Sequence, residues 1–139
     1  MKVFVYYIGR QKDAHLNALA EDYLARIARY TTAQMAEVRV ERTNLWAKHP
    51  TARKIFLDPG GQRFDSPAFA SVIAKAELEA RDLLFLIGGH DGLPGAWLPQ
   101  AHLLLSLSPL TMPHELARVV LTEQIYRAFA SLRGHPYPR

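Results

Sequence analysis

Three loops rich in glycine and proline are the first candidates for chemistry, because each follows an apolar run that predicts a β-strand. They are residues 58–61 (Asp-Pro-Gly-Gly), 88–92 (Gly-Gly-His-Asp-Gly) and 108–113 (Ser-Pro-Leu-Thr-Met-Pro). Ligands of parallel sheets bind beyond the carboxyl ends of the strands. The pair Gly88-Gly89 would also let a ligand approach the main chain, since no side chain intervenes. A tight turn without a ligand is the alternative for this glycine pair, and the coincidence of three such loops brings the two interpretations closer to balance.

Other familiar site patterns are missing from the sequence. It contains no G-x-G-x-x-G fingerprint, no P-loop and no G-x-S-x-G elbow, which argues against dinucleotide, nucleotide and serine-hydrolase chemistry. His90, Asp91 and His102 match no known metal-ligand spacing, so we interpret them as surface residues and expect no metal. The lack of cysteine excludes disulfides and thiolate metal sites.

Composition gives only weak information about binding partners. Lys and Arg number 17 against 13 for Asp and Glu, and this excess favours polyanionic partners only weakly. The longest apolar run, residues 83–87, is far too short to span a bilayer. The first residues lead directly into strand-like sequence without a signal-peptide cleavage region. We therefore expect a cytoplasmic protein with no membrane partner.

The elements that position these loops follow from hydrophobic periodicity. The pattern predicts strands over residues 2–8, 37–43, 54–58, 83–87 and 102–107, and helices over 13–30, 66–80 and 113–132. Ser66 is the expected cap of the second helix, with Pro67 in its first turn. Residues 94–99, bounded by prolines, predict a short helix or turn.

Alternating strands and helices predict one α/β domain over residues 1–139, with a mostly parallel sheet and helices on both faces. One connection is too short for this scheme. A parallel crossover usually needs a dozen or more residues, and only about ten separate the second and third predicted strands. That connection is either antiparallel or lacks a helix of its own.

The last helix is apolar over more than half of its circumference, whereas a helix packed on one sheet needs a narrower stripe. Either a second subunit covers the additional face, or the helix is central in the monomer core. Glu123 and Arg127 are spaced for an ion pair within the helix, which we interpret as structural.

Several ordered segments resemble the ribosomal large subunit methyltransferase H family (RlmH). Residues 85–93 (FLIGGHDGL) are similar to its glycine-loop motif, and residues 106–114 (SLSPLTMPH) to its second signature. Residues 116–127 are similar to a third signature, and residues 134–137 (GHPY) to the C-terminal sequence of the family. The resemblance extends along the whole chain, includes residues 21–26, and is densest from Leu83 onward.

The resemblance implies a SPOUT-type fold with a C-terminal trefoil knot in about residues 83–139, acting as a homodimer. It implies S-adenosyl-L-methionine as cofactor and methylation at N3 of a pseudouridine in a 23S rRNA stem-loop of the assembled ribosome. Two alternatives remain open. The chain could be a SPOUT methyltransferase for another rRNA or tRNA site, or a non-catalytic homologue that binds the ribosome.

Site residues carry over position by position from the resemblance. The implied cofactor-binding residues are Leu57, Gly88, Gly89, Ser108, Pro109, Leu110, Thr111, Met112 and Pro113. The catalytic candidates are His114, Arg133, His135 and Tyr137, with the two histidines as possible bases. The hypothesis is that Arg133, His135 and Tyr137 of one subunit complete the site of the other. A helix-start residue satisfied by the main chain is the alternative for His114.

The sequence departs from the family pattern in two places. The segment 44–53 is shorter than in typical members, which puts its RNA contacts in doubt. Pro138 stands where the family commonly has a final histidine, so no catalytic role is transferred to that position.

Overall fold

A computed structural model describes residues 1–137, so Pro138 and its departure from the family pattern lie outside the described residues. The strands are β1 (Lys2–Ile8), β2 (Thr32–Val38), β3 (Arg53–Arg63), β4 (Leu83–Ile87) and β5 (Leu103–Ser106). The helices are α1 (Ala14–Ile27), α2 (Leu45–Lys48), α3 (Ser66–Leu78) and α4 (His114–Leu132), with 3-10 turns at Val40–Arg42 and Leu98–Gln100. The strands form one sheet in the order β2-β1-β4-β3-β5, and all pairings are parallel. The predicted α/β class is confirmed.

The two faces of the sheet are covered unequally. Val5 and Phe85 point to the face on which α1, α3 and α4 pack, as the shared cluster with residues of those helices shows. Tyr6 and Leu86 point to the opposite face. That face is covered by the single turn of α2 and by aromatic side chains of the loops, including Trp97. Helical segments therefore lie on both faces, but only one face carries long helices.

The second strand lies about five residues before its predicted position. Strand β2 ends at Val38, and the residues after Arg39 form a 3-10 turn. The alternation of Val38 and Val40 thus crosses a strand end, and the strand it predicts over residues 37–43 is wrong. Pairing with β1 decides the register, since Lys2 lies opposite Thr32 and Ile8 opposite Val38. Because β2 is an edge strand with mostly exposed side chains, its own apolar pattern is weak.

The connection from β2 to β3 also differs from both alternatives. It is not antiparallel, because every strand of the sheet is parallel. It is not without a helix, because the earlier end of β2 leaves room for α2, a single turn of four residues. Asn44 begins this turn, and its side chain accepts hydrogen bonds from the main-chain N–H groups of Trp46 and Ala47 at 3.1 and 3.0 Å.

Strand β3 continues through the predicted turn at residues 59–61. Its pairing with β5 shifts register between Leu57 and Gln62, so the residues between them form a bulge. The Asp58 carboxylate accepts the N–H of Gly60 at 2.9 Å within this bulge. A Cβ on Gly61 would lie 2.7 Å from main-chain atoms of Leu104, so glycine is required where the bulge crosses β5.

Helix α3 begins where predicted, but the cap was assigned to the wrong residue. The carboxylate of Asp65 accepts the N–H of Ala68 at 2.8 Å and caps the helix, while Ser66 is its first residue. Pro67 occupies the first turn, as expected.

Helix α4 is central within the chain. It packs between α1 and α3, and ten of its residues are buried, including Leu121, Ile125 and Phe129. The alternative of a central helix therefore accounts for these buried residues, whereas Leu116 and Leu132 of the same helix are each 37% exposed. The predicted pair on this helix is present, with Arg127 Nη2 at 2.7 Å from a Glu123 oxygen.

Candidate functional site

A cavity of about 340 Å³ opens where the carboxyl ends of β3, β4 and β5 meet. Its size falls within the range of small-molecule sites. Of the expected cofactor-binding positions, those that line it are Leu57, Gly88, Gly89, Ser108, Leu110, Thr111, Met112 and Pro113. Pro109 does not line it. The three loops selected from the sequence therefore converge on one site, which also includes Asp58 and His90 of these loops and, outside them, Leu93 and Ala117.

The glycine loop at residues 88–92 is folded tightly on itself. Gly92 N–H donates to the Gly89 carbonyl at 3.0 Å, and the two residues form an isolated bridge. A Cβ on Gly88 would lie 2.7 Å from the carbonyl carbon of Gly92, and one on Gly89 would lie 2.9 Å from the Ile8 carbonyl oxygen. Both glycines are thus required by contacts of main chain with main chain. A ligand is not needed to explain them, although both lie in the cavity wall.

The loop at residues 108–113 presents both apolar side chains and free main-chain groups. Ser108 Oγ accepts the N–H of Leu110 at 3.0 Å and fixes the first turn of the loop. The Leu110 side chain is 78% exposed although it borders the cavity. Within residues 1–137, the main-chain groups of Thr111 and Met112 form no hydrogen bond. This loop can pack on an aromatic ring and hydrogen-bond to its edge.

His114 is the one catalytic candidate that borders the cavity. Its Nε2 is buried and has no hydrogen-bond partner among the described residues, so the alternative of a ring satisfied by the main chain does not hold for this nitrogen. The neighbouring Glu115 accepts N–H groups of Lys12 and Asp13 and holds the loop after β1 against the start of α4. These hydrogen bonds, the one from Lys12 above all, lower the pKa of Glu115.

Of the other three candidates, Arg133 and His135 follow the far end of α4, and Tyr137 returns to contact the middle of this helix. Arg133 forms an ion pair with Glu77, with Nη1 at 3.1 Å from Oε1. The Tyr137 hydroxyl donates to Glu123 at 2.6 Å, and burial together with this hydrogen bond raises the pKa of Tyr137. His135 is exposed. Because α4 has 19 residues, its ends lie about 28 Å apart. The structure therefore does not bring these three side chains to the cavity of their own chain.

The sequence analysis did not predict that Arg118 is buried without a hydrogen-bond partner for its terminal nitrogens. Its side chain is 1% exposed, and its guanidinium lies 4.0 Å from the centre of the Tyr7 ring. Neither terminal nitrogen has a hydrogen-bond partner within residues 1–137. An arginine within the apolar sequence of this helix was the available signal, because a charge is rarely buried without a partner.

The described residues hold neither a metal-binding group nor a membrane-spanning helix. Residues 1–137 hold no group of three or more His, Asp or Glu side chains arranged for a metal ion. No helix in this range combines the length and apolarity that a membrane crossing requires.

Comparisons with known proteins agree with this architecture. The family model described as "Predicted SPOUT methyltransferase" matches residues 1–138. The chain is 63% identical over 139 residues to the ribosomal RNA large subunit methyltransferase H of Solibacter usitatus, with all of both chains covered. It is similar in fold to a probable methylase family protein from Haemophilus influenzae, with a TM-score of 0.65, 8% identity, and coverage of 99% of this chain and 70% of that one. It is also similar in fold to a putative methyltransferase from Legionella pneumophila in complex with SAM. The TM-score is 0.58 and the identity 10%, and the match covers 92% of this chain and 66% of that one.

The sheet is all-parallel, its cavity is built from three strand-end loops, and the family model matches nearly the whole chain. These findings define the class as SPOUT methyltransferase. Within that class, the chain belongs to the ribosomal RNA large subunit methyltransferase H family.

Proposed function

We propose that this protein transfers the methyl group of S-adenosyl-L-methionine to N3 of a pseudouridine in a 23S rRNA stem-loop of the assembled ribosome. The observation that carries the proposal is the strand-end cavity, whose walls come from the segments that resemble the family motifs. The full-length similarity to the Solibacter usitatus protein supports the rRNA substrate. Such a substrate also favours the cytoplasm as the place of action.

The residues present fit the proposed cofactor. Leu57, Leu110 and Met112 offer apolar surface for an adenine ring, and the free main-chain groups of the 108–113 loop can pair with its edge. S-adenosyl-L-methionine, when bound, supplies an electrophilic methyl group. The chain supplies position, because holding a reactive group close to its target removes most of the entropic barrier.

The target nitrogen must lose its proton before it can accept the methyl group. His114 is the best-placed residue to assist, since it lines the cavity and its buried Nε2 is not engaged elsewhere in the described chain. A histidine can act as a base near neutral pH. The target base would have to leave its stack to reach the cavity, and an exposed loop makes that step less costly.

We further propose a homodimer in which Arg133, His135 and Tyr137 of one subunit reach the cavity of the other. The support is their distance from the cavity of their own chain. Arg133 and His135 follow the far end of α4, about 28 Å from its start, and Tyr137 is held at Glu123, nine residues after His114 and about 14 Å along the helix. Glu77 and Glu123 hold two of these side chains in place. A cation and a tyrosine preorganised in this way suit contacts to an RNA phosphate and a base. The proposed single domain includes the trefoil knot implied by the family.

The function is tested by mass spectrometry of 23S rRNA from a strain lacking the gene, with and without this protein. Restoration of one methylated pseudouridine is the expected result. A methyl group at another nucleotide would contradict the proposed substrate. Failure to bind S-adenosyl-L-methionine at millimolar concentration in calorimetry would instead favour a non-catalytic ribosome-binding homologue.

The shared site is tested by mixing two inactive variants. We expect His135→Ala and Leu110→Asp to lose activity separately and to regain up to about a quarter of it after refolding together, because half of the dimers are mixed and one of their two sites is intact. Refolding each variant with itself is the control. No recovery in the mixture would contradict a site built from two subunits.

A further inference from the structure

A second group of basic residues lies at the opposite edge of the sheet, where β3, β4 and β5 begin. This amino-edge cluster consists of His49, Arg53, Lys54, Arg81 and His102. Parallel pairing brings its members together, since Arg53 N–H donates to the Asp82 carbonyl and His102 N–H to the Lys54 carbonyl, each at 2.9 Å. None of these residues lines the cavity at the carboxyl edge.

The tautomer of His102 follows from its hydrogen bond. The main-chain N–H of Lys54 donates to His102 Nδ1 at 2.8 Å, so Nδ1 carries no proton. A neutral imidazole has one proton, which must then lie on Nε2. Partial desolvation of the ring, and to a lesser extent Arg81, Lys54 and Arg53, lower the pKa of His102 and favour this neutral form.

Two donors therefore converge at one point. His102 Nε2 lies 3.5 Å from Arg81 Nη2, and a guanidinium nitrogen can only donate. The Arg81 side chain is held in this position because its Nε donates to the Thr51 carbonyl at 3.0 Å. None of the ion pairs found within residues 1–137 involves Arg81. An acceptor oxygen in contact with both would satisfy these two facing donors at once.

The surrounding charge favours an anion as the source of that oxygen. Lys54 is 1% exposed, and its ammonium group donates to the His49 carbonyl. The buried cation and Arg53 add positive potential at the edge. Asp82 is the carboxylate adjoining the cluster, and it accepts the N–H of Lys2 at 2.8 Å.

We propose that Arg81 and His102 form a binding site for a backbone phosphate of the RNA substrate. This inference rests on the proposed rRNA substrate. His102 is exposed and the pair lies on an open edge, so the site suits one group of a polymer held at several points rather than an enclosed metabolite. Strand β4 has five residues between the two edges. The phosphate would therefore lie roughly 16 Å from the cavity and orient the RNA across the sheet.

The site itself is tested without RNA, by titration with inorganic phosphate monitored on the imidazole nitrogens of His102 by NMR. A saturable shift of the Nε2 resonance is expected, and it should be lost in Arg81→Gln. Arg29→Gln removes the same charge from an exposed position outside the cluster and should keep the shift. Absence of a saturable shift in the wild-type protein would overturn the site.

The RNA assignment is tested by binding to ribosomes from the deletion strain over a range of salt concentrations. Loss of one phosphate contact predicts affinity about five- to eightfold lower at 0.1 M salt, and a logarithmic salt slope smaller by about 0.7 to 0.9. Arg81→Gln should show both effects with unchanged affinity for S-adenosyl-L-methionine, and Arg29→Gln neither. Unchanged ribosome binding by Arg81→Gln would overturn the RNA assignment even if phosphate binds. If the wild-type protein fails to methylate rRNA but the phosphate shift persists, the proposed function is contradicted and the phosphate site is not.

Discussion

The replacement Leu110→Ala separates ligand binding from folding. The side chain is 78% exposed in the free protein, so its truncation removes little buried surface, and the free energy of unfolding should change by less than about 0.5 kcal/mol. In the proposed complex the same side chain covers one face of the adenine ring. Each methylene group transferred from water contributes about 0.8 kcal/mol. Loss of three carbon atoms, half covered, predicts affinity lower by about 1–2 kcal/mol, roughly five- to thirtyfold.

The assay is isothermal titration of S-adenosyl-L-methionine into wild-type and variant protein, with urea unfolding of both in the absence of ligand. Leu78→Ala provides the matched control. Leu78 is 89% exposed on α3 and does not border the cavity, so the same truncation should leave both affinity and stability unchanged.

Two results would refute this reasoning. Unchanged affinity of Leu110→Ala would show that the cofactor does not contact the 108–113 loop. A fall in unfolding free energy as large as the fall in binding energy would show that Leu110 acts through the fold instead.

Three further predictions concern the fold. Gly89→Ala places a Cβ 2.9 Å from a β1 carbonyl oxygen, so urea unfolding should show a loss of about 1–3 kcal/mol, whereas Gly95→Ala, with open space around it, should show none. Asp65→Ala should cost α3 about 1 kcal/mol by the same assay, and Ser66→Ala much less; equal losses would contradict the assigned cap. Because the pKa of His102 is lowered in the folded state, the unfolded chain binds this proton first as the pH falls. The contribution of His102 to stability should be full above about pH 6.5 and should decrease as the pH falls toward the folded pKa. The urea midpoint should therefore depend less on pH in His102→Asn than in the wild-type protein, and an equal dependence would contradict this prediction.

The buried parts of the fold could be predicted closely from the sequence. Strands β1 and β4 have the predicted bounds, because residues 3–6 of β1 and all of β4 form apolar runs that are buried on both faces of the sheet. The edge strand β2 could not be placed in the same way. Its position depends on pairing with β1, a long-range contact that leaves little trace in local hydrophobicity.

The site shows the same division. Strand ends and turn residues were sufficient to choose the three loops that line the cavity, since parallel strands must all deliver their carboxyl ends to one edge. The physical reason for the glycines could not be predicted, because it lies in the contact of Gly89 with Ile8, a residue 81 positions earlier (89 − 8). The convergence of Arg81 and His102 likewise requires the three-dimensional register of β4 and β5.

The position of β1 has a consequence for how the chain reaches its native state. Val3 pairs with Leu83, a separation of 80 residues (83 − 3), and β1 lies inside the sheet with a partner on each side. The entropy of closing so long a loop must be lost before that pairing contributes any stability. Folding should therefore be slow for a chain of this size, with β1 entering the sheet only after β4 has formed. Once enclosed, its amide hydrogens should exchange with solvent only when the whole molecule unfolds.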